Sequence, residues 1–260
     1  MTARSRASVV SSFTIIKGAM IEETYAVFQQ WDFDLSREEN LRHVKETNAI
    51  GAGSESWLRD VCKVLHRRFD PNRRDRSLVE LAKAGCSYPL WKPLLLWHMT
   101  RDEFLLRDFL VHHVFEEHRA GALRMRTESL HGYRRGLYEQ QRVRGPWTES
   151  TVDGVASGLL RMAVDFDLLK GTQVREPASY HLPEESFLYI LHALSDEQPN
   201  AREVVEAEDW RMYLMEPADV ERELFRLHQF RKVHYEVAGS IAQLTLPCSS
   251  AAAYAKGLAA

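Results

Sequence analysis

The chain has 260 residues, 45% hydrophobic and 27% charged, which is apolar enough for one or two packed domains and excludes wholesale disorder. Its formal net charge of −3 hides a division: residues 1–145 hold 24 Lys/Arg against 19 Asp/Glu, and residues 146–260 hold 10 against 18. A basic first part suits nucleic acid, and an acidic second part suits another protein or simply keeps the chain in solution.

Taken in order, residues 1–12 are Ser-rich and read as a frayed start, and a helix is expected from about Lys17 to Trp31. A second helix starts at Ser36, where S-R-E-E forms a capping box; it turns Leu41 and Val44 inward and ends near Asn48. The connection NAIGAG holds two glycines, as a turn between crossing helices requires. Ser54 then caps a third helix with two faces. Leu58, Val61, Leu65 and Phe69 recur at steps of three and four on one side, while Arg59, Lys63 and Arg67 stand four apart on the other. Arg68, Arg73, Arg74 and Arg76 follow directly. Helix, Gly-containing turn and basic helix make residues 36–69 a candidate helix-turn-helix, although the turn exceeds the three to four residues of the compact motif.

Asp75 is expected to cap a short helix ending at Gly85, the Pro89–Pro93 segment opens another, and T-R-D-E at 100–103 reads as a second capping box. Phe104, Leu105, Phe109, Val111, Val114 and Phe115 make the next helix apolar enough to be buried on most sides. Residues 119–144 form a second basic block, seven arginines against Glu128 and Glu139, from which Arg124, Arg126, Arg134 and Arg135 are candidate phosphate contacts. Arg-Gly-Pro at 144–146 marks a boundary, because Gly and Pro punctuate there and the sign of charge changes there. Beyond it, Thr148 or Ser150 caps a helix with the stripe Val152, Val155, Leu159, Met162, Phe166 and Leu169, stopped by Gly171. Residues 172–182 read as a short hairpin or a loop, Pro183 opens a helix through Leu194, and Pro217 opens another. VHYEV and IAQLTL around Ala-Gly-Ser then alternate with period two. Helix followed by hairpin is how a winged helix ends, but residues 217–247 balance four basic against four acidic side chains. The expected fold class is therefore all-α, with helix-turn-helix elements and one or two small β-hairpin wings in the C-terminal part. The expected organisation is an N-terminal helical domain over 12–145, a C-terminal winged-helix-like domain over 146–247, and a tail over 248–260.

Enzymatic chemistry finds little support. The chain lacks GxxxxGK[ST], GxGxxG and GxSxG, so no phosphate cradle or nucleophile elbow is available. His112, His113, Glu116, Glu117 and His118 cluster on one helix, and an i, i+4 His/Glu pair can hold a metal in principle. The two histidines are adjacent rather than four apart, so this is not HExxH, and a polar helix face is the simpler account. Trp57, Trp91 and Trp97 lie among apolar neighbours and are assigned to packing rather than base stacking. Cys62, Cys86 and Cys248 form neither a zinc half-site nor a disulfide framework, which implies a reducing cytosol and structural thiols. The most apolar segment, residues 88–99, falls short of the ~20 residues needed to span a bilayer. A soluble, cytoplasmic protein without catalytic residues, cofactor or metal is expected.

SFTIIKGAMIEETYAVFQQW near the start, the capped helix ending in RRF, the apolar middle and WTESTVDGVASGLLRMAVDFDLLKG together resemble the BrxA proteins of BREX bacteriophage-exclusion systems, over roughly residues 12–247. The resemblance implies a small all-α cytoplasmic protein with helix-turn-helix elements beside a positive surface, binding DNA in phage defence. The contact role carries over to the matching basic helix, Arg59, Lys63, Arg67 and Arg68. Residues and resemblance together predict a double-stranded DNA binder that is a monomer or weak oligomer. Ser56, Arg59 and Lys63 would lie nearest base edges, and Arg67, Arg68, Arg73, Arg74, Arg76, Arg124, Arg126, Arg134 and Arg135 would lie on phosphates. The alternative is an adaptor that docks other BREX proteins through its acidic C-terminal part.

Overall fold

In the computed structural model, residues 11–122, 124–125, 130, 133, 147–239 and 241–259 are described. The architecture is mainly helical, with two small two-stranded antiparallel sheets. The helix expected over Lys17–Trp31 is the shorter α2 (Ile21–Gln29), and a separate α1 (Ser12–Lys17), not expected from the sequence, precedes it. Gly18 (φ 88°) and Met20 (φ 54°) occupy positive φ between them, and the Asp165 carboxylate accepts from the Ala19 amide there. The start of the chain's described part is thus helical from Ser12.

The next two helices are as expected. In α3 (Arg37–Thr47) both halves of the Ser36/Glu39 capping box form, and Asn48 ends the helix in the left-handed conformation. In α4 (Glu55–Arg68) the Ser54 hydroxyl accepts from the Trp57 amide.

Two expected caps do not form. Asp75 precedes α5 (Arg76–Lys83) without capping it. Its carboxylate is spent on the Asp70 amide, on Arg74 and on His98 Nδ1 at 2.7 Å, while His98 Nε2 meets the Tyr189 hydroxyl at 2.7 Å. Burial pushes the Asp75 carboxyl up, but His98 and Arg74 outweigh it and hold it below its usual range. This chain ties α5 to α6 (Tyr88–Met99) and to α10 (Glu184–Glu197), on which Tyr189 lies. Likewise T-R-D-E makes no box before α7 (Phe104–Phe109): Thr100 donates back to the Trp97 carbonyl, and Glu103 is drawn to Arg68. From α7 the backbone widens into one π-helical segment, Leu110–Val114, before α8 (Phe115–Arg119).

After Thr148, whose hydroxyl accepts from the Thr151 amide, α9 (Glu149–Asp165) ends earlier than expected. Gly171 (φ 100°) belongs instead to the connection between β1 (Leu169–Lys170) and β2 (Glu176–Pro177), so 172–182 includes the return strand of a short hairpin. On α9, Gly154 and Gly158 face α1. A Cβ on Gly158 would lie 2.6 Å from the Ile15 carbonyl oxygen, so the close approach of the two helices requires glycine there. Beyond α10 come α11 (Ala201–Val205), a 3-10 turn (Glu208–Tyr213) and α12 (Pro217–Gln229), then β3 (His234–Ala238) paired antiparallel with β4 (Ile241–Thr245).

Residues 251–259, expected within a tail, form α13 (Ala251–Ala259) packed on α5 and α10. Ala251 and Ala255, four apart, are buried; the Asp196 carboxylate accepts from the Ala251 amide at 3.0 Å, and Tyr254 stacks on His192 with ring centres 5.1 Å apart. An Ala- and Ser-rich string reads as a tail until a flat surface is available for its small side chains. The expected boundary at 144–146 lies outside the described residues. The segments on either side of it contribute to one continuous apolar core, from Ile15 of α1 to Ala255 of α13.

Candidate nucleic-acid interface

The two faces of α4 separate as their spacing requires. Leu58, Val61, Leu65 and Phe69 are buried, and Ser56, Arg59, Lys63 and Arg67 are exposed. Because α3 packs beside α4, the exposed face becomes one wall of a groove of about 580 Å³. Arg59, Lys63, His66 and Arg67 line it from α4, and Arg42 and Lys45 line it from α3. Leu41 and Cys62 also line it, and Glu38, 3.9 Å from His66, is its one carboxylate. Among the described residues no carboxylate lies within ion-pair distance of Arg42, Lys45, Arg59, Lys63 or Arg67. Lys63 instead rests over the Phe13 ring of α1, 4.3 Å from its centre. At the far end Arg37 donates to the carbonyls of His66 and Phe69, which closes the last turn of α4 and fixes α3 against it.

Arg42 and Lys45 were not among the expected contacts. They stand three apart on α3, with Lys45 one turn on from groove-lining Leu41, so their spacing carried the signal once α3 was known to flank α4.

One expected contact is overturned. Arg68 points inward and is 1% exposed. Its Nε donates to Glu103 at 2.8 Å, and its two terminal nitrogens donate to the Ala19 and Thr14 carbonyls at 3.1 and 2.8 Å. The Thr14 hydroxyl completes the arrangement by donating to the other Glu103 oxygen at 3.0 Å. The physical reason lies in helix geometry: Arg68 follows buried Val64 and Leu65 by four and three, which places it on the apolar stripe. Arg74 is exposed but already engaged, by Asp75, by Asp102 at 2.6 Å and by the Arg68 carbonyl at 2.9 Å. Arg76 is half-exposed, but it pairs with Glu80 at 2.8 Å and lies over Phe33. Arg73 and Arg124 are exposed. Arg126, Arg134 and Arg135 lie outside the described residues.

The remaining titratable clusters have other uses. His113 sits in the π-helical segment, stacked on Phe109 and leaning on Tyr133, and burial lowers its pKa. Among the described residues no three His, Cys, Asp or Glu side chains converge as metal ligands. Burial raises the Cys62 thiol, and burial with Glu185 nearby pushes Cys86 up to about 11; all three cysteines are unpaired. Around the C-terminal hairpin, Glu184 takes both Arg226 and Lys232, which offsets much of the positive charge there. Trp91 and Trp97 are buried, whereas Trp57 is only half-buried, in the first turn of α4.

The chain is thus a mainly helical protein with a cationic groove between two capped helices, and no described helix is long and apolar enough to cross a membrane. The BrxA family profile matches residues 12–193, so the chain belongs to the BrxA family, a protein family of the BREX phage-defence system. No curated protein matches it.

Proposed function

We propose that this protein is a non-enzymatic DNA-binding component of its BREX system, seating a duplex along the α3–α4 groove. The observation that carries this reading is the set Arg42, Lys45, Arg59, Lys63 and Arg67, which share one groove with Glu38 as its single carboxylate. Five cations held together without an ion pair repel one another, and an external polyanion relieves that repulsion. In this assignment Arg42, Lys45 and Arg67 hold phosphates, and Ser56, Arg59 and Lys63, on the exposed face of α4, are nearest base edges. The order of α12, β3 and β4 is that of a winged-helix end, but its charge is balanced, so duplex contact is assigned to the groove. Such helix pairing with a seven-residue turn, 48–54, is a lengthened helix-turn-helix.

The test is fluorescence anisotropy on labelled duplex across a salt series. Three phosphate contacts give a slope of log K against log salt of roughly −2.7. The triple variant Arg59→Glu, Lys63→Glu, Arg67→Glu loses binding with an unchanged circular dichroism spectrum. Equal affinity of that variant and the wild type would remove the assignment.

A second reading, docking of other BREX proteins, draws on exposed Phe225, Phe230, Val237 and Ile241 in the C-terminal part. It predicts co-purification that survives nuclease treatment.

A further inference from the structure

The α1–α2 connection opens onto a cavity that the proposed DNA contacts do not use. It holds about 460 Å³, a size that suits a small molecule. Residues 17–23 form one wall, Trp57 of α4 and Tyr88 and Lys92 of α6 form others, and Arg161 and Asp165 of α9 complete it. Three cations and three carboxylates line it, so its balance depends on which of them are already engaged. Lys17 donates to Asp60, Lys92 donates to Asp167 at 2.7 Å, and Arg161 donates to the Ile16 carbonyl at 2.7 Å. Asp60 and Asp167 are not part of the lining, so both lysines are neutralised from outside it.

The carboxylates have no such counterparts. Among the described residues Glu22, Glu23 and Asp165 form no ion pair. Burial pushes the Asp165 carboxyl up and Glu23 adds to it, against the pull of Arg161, the Ala19 amide and Lys92. The cavity therefore keeps negative charge. An uncapped helix start invites an anion, and α2 begins here without a side-chain cap, but Glu22 and Glu23 already occupy its first turn. Beside the carboxylates stand Trp57, half-buried, and Tyr88, 41% exposed, whose phenol is pushed up by burial and by both glutamates. Ring faces attract ammonium groups, and carboxylates accept their hydrogens. A metal ion has no use for the rings, and no metal-ligand cluster occurs among the described residues.

We propose that this cavity binds a small organic polycation, a linear polyamine, with its ammonium groups on Glu22, Glu23 and Asp165 and its methylene chain along Trp57 and Tyr88. Carboxylates on two separate helices, α2 and α9, call for more than one ammonium group, which a single lysine side chain of a partner protein does not supply. The apolar faces of the rings suit the carbon chain between those groups. This proposal goes beyond DNA binding and does not rest on it.

Isothermal titration calorimetry of the full chain with spermidine, without DNA and at fixed ionic strength, tests it. The wild type binds spermidine saturably, and magnesium ion binds far more weakly. Glu23→Gln and Asp165→Asn each weaken spermidine binding about tenfold, as loss of one charge-assisted contact requires. Trp57→Leu weakens it severalfold through loss of the ring face. Asp165→Asn keeps an oxygen for the Ala19 amide, so its circular dichroism matches the wild type. A wild type that does not bind spermidine overturns the proposal, and so does equal affinity of Glu23→Gln or Trp57→Leu and the wild type. Magnesium binding as tight as that of spermidine also overturns it, because charge alone then suffices. Should Asp165→Asn not fold, the Glu23→Gln result decides. Every readout is taken without DNA, so failure here leaves the groove assignment standing.

Discussion

Arg67 and Arg68 are neighbours in sequence and opposites in use. One stands in the groove, and the other is sealed behind α4 with donors to Glu103 and two carbonyls. Replacing Arg68 by Ala leaves the Glu103 carboxylate, itself 5% exposed, without its cation. Breaking a buried pair in this way costs about 3–5 kcal/mol, which urea denaturation would read as a large fall in midpoint. Arg67→Ala should leave stability within ~0.5 kcal/mol and lower the salt slope of DNA binding by roughly one. Counting arginines does not separate the two; periodicity does, because 64, 65 and 68 lie on one stripe. What periodicity cannot supply is the partner. Glu103 is 35 residues away, and only the folded chain brings it to Arg68. The same limit hid Arg42 and Lys45, whose role depends on which helix lies alongside.

Among elements, the caps that depend on local geometry were legible: Ser36 with Glu39, Ser54 and Thr148 all work within three residues. The box at 100–103 failed because its Glu is worth more to a buried arginine than to a solvated amide. Helix contacts made by absence are harder to see in a string of letters. A glycine inside a helix ordinarily gains up to ~1 kcal/mol on becoming alanine. Gly154, whose added Cβ would meet only the Ile16 side chain at 3.4 Å, should follow that rule or stay neutral. Gly158→Ala should instead destabilise by about 1–3 kcal/mol, since the obstacle is the Ile15 backbone; thermal melts of the two variants would move in different directions. The docking of α13 carries a pH signature. Burial lowers the pKa of His192, against an opposing pull from Asp196. The unfolded chain therefore binds its proton first, near pH 6.5, while the folded chain does not. Stability from this group is complete above that pH and is lost as the pH falls, with His113 adding the same sign. Comparing melting temperatures at about pH 7.5 and 5.5, His192→Phe should show a smaller acid loss than the wild type.

At the scale of the molecule, apolar residues from both ends of the chain share one core, so α5 depends on α13 as much as on its sequence neighbours. Truncation after Ser250 uncovers α5 and α10 together, and calorimetry should record a single transition at lower temperature rather than the loss of an independent unit. Charge reversal along the sequence pointed to two parts, yet charge describes surfaces and says little about which interiors merge; that is why composition showed the helical class but not the way its segments interlock. The tryptophans, finally, divide by environment. Trp147 is half-buried, as Trp57 is; Trp31, Trp91, Trp97 and Trp210 are each at most 3% exposed, while Trp57 meets water on the helix proposed to seat the duplex. Its emission lies to the red of theirs, so DNA should quench the long-wavelength edge of the protein's fluorescence, and Trp57→Phe should make that signal disappear. The molecule carries its own optical gauge of the groove.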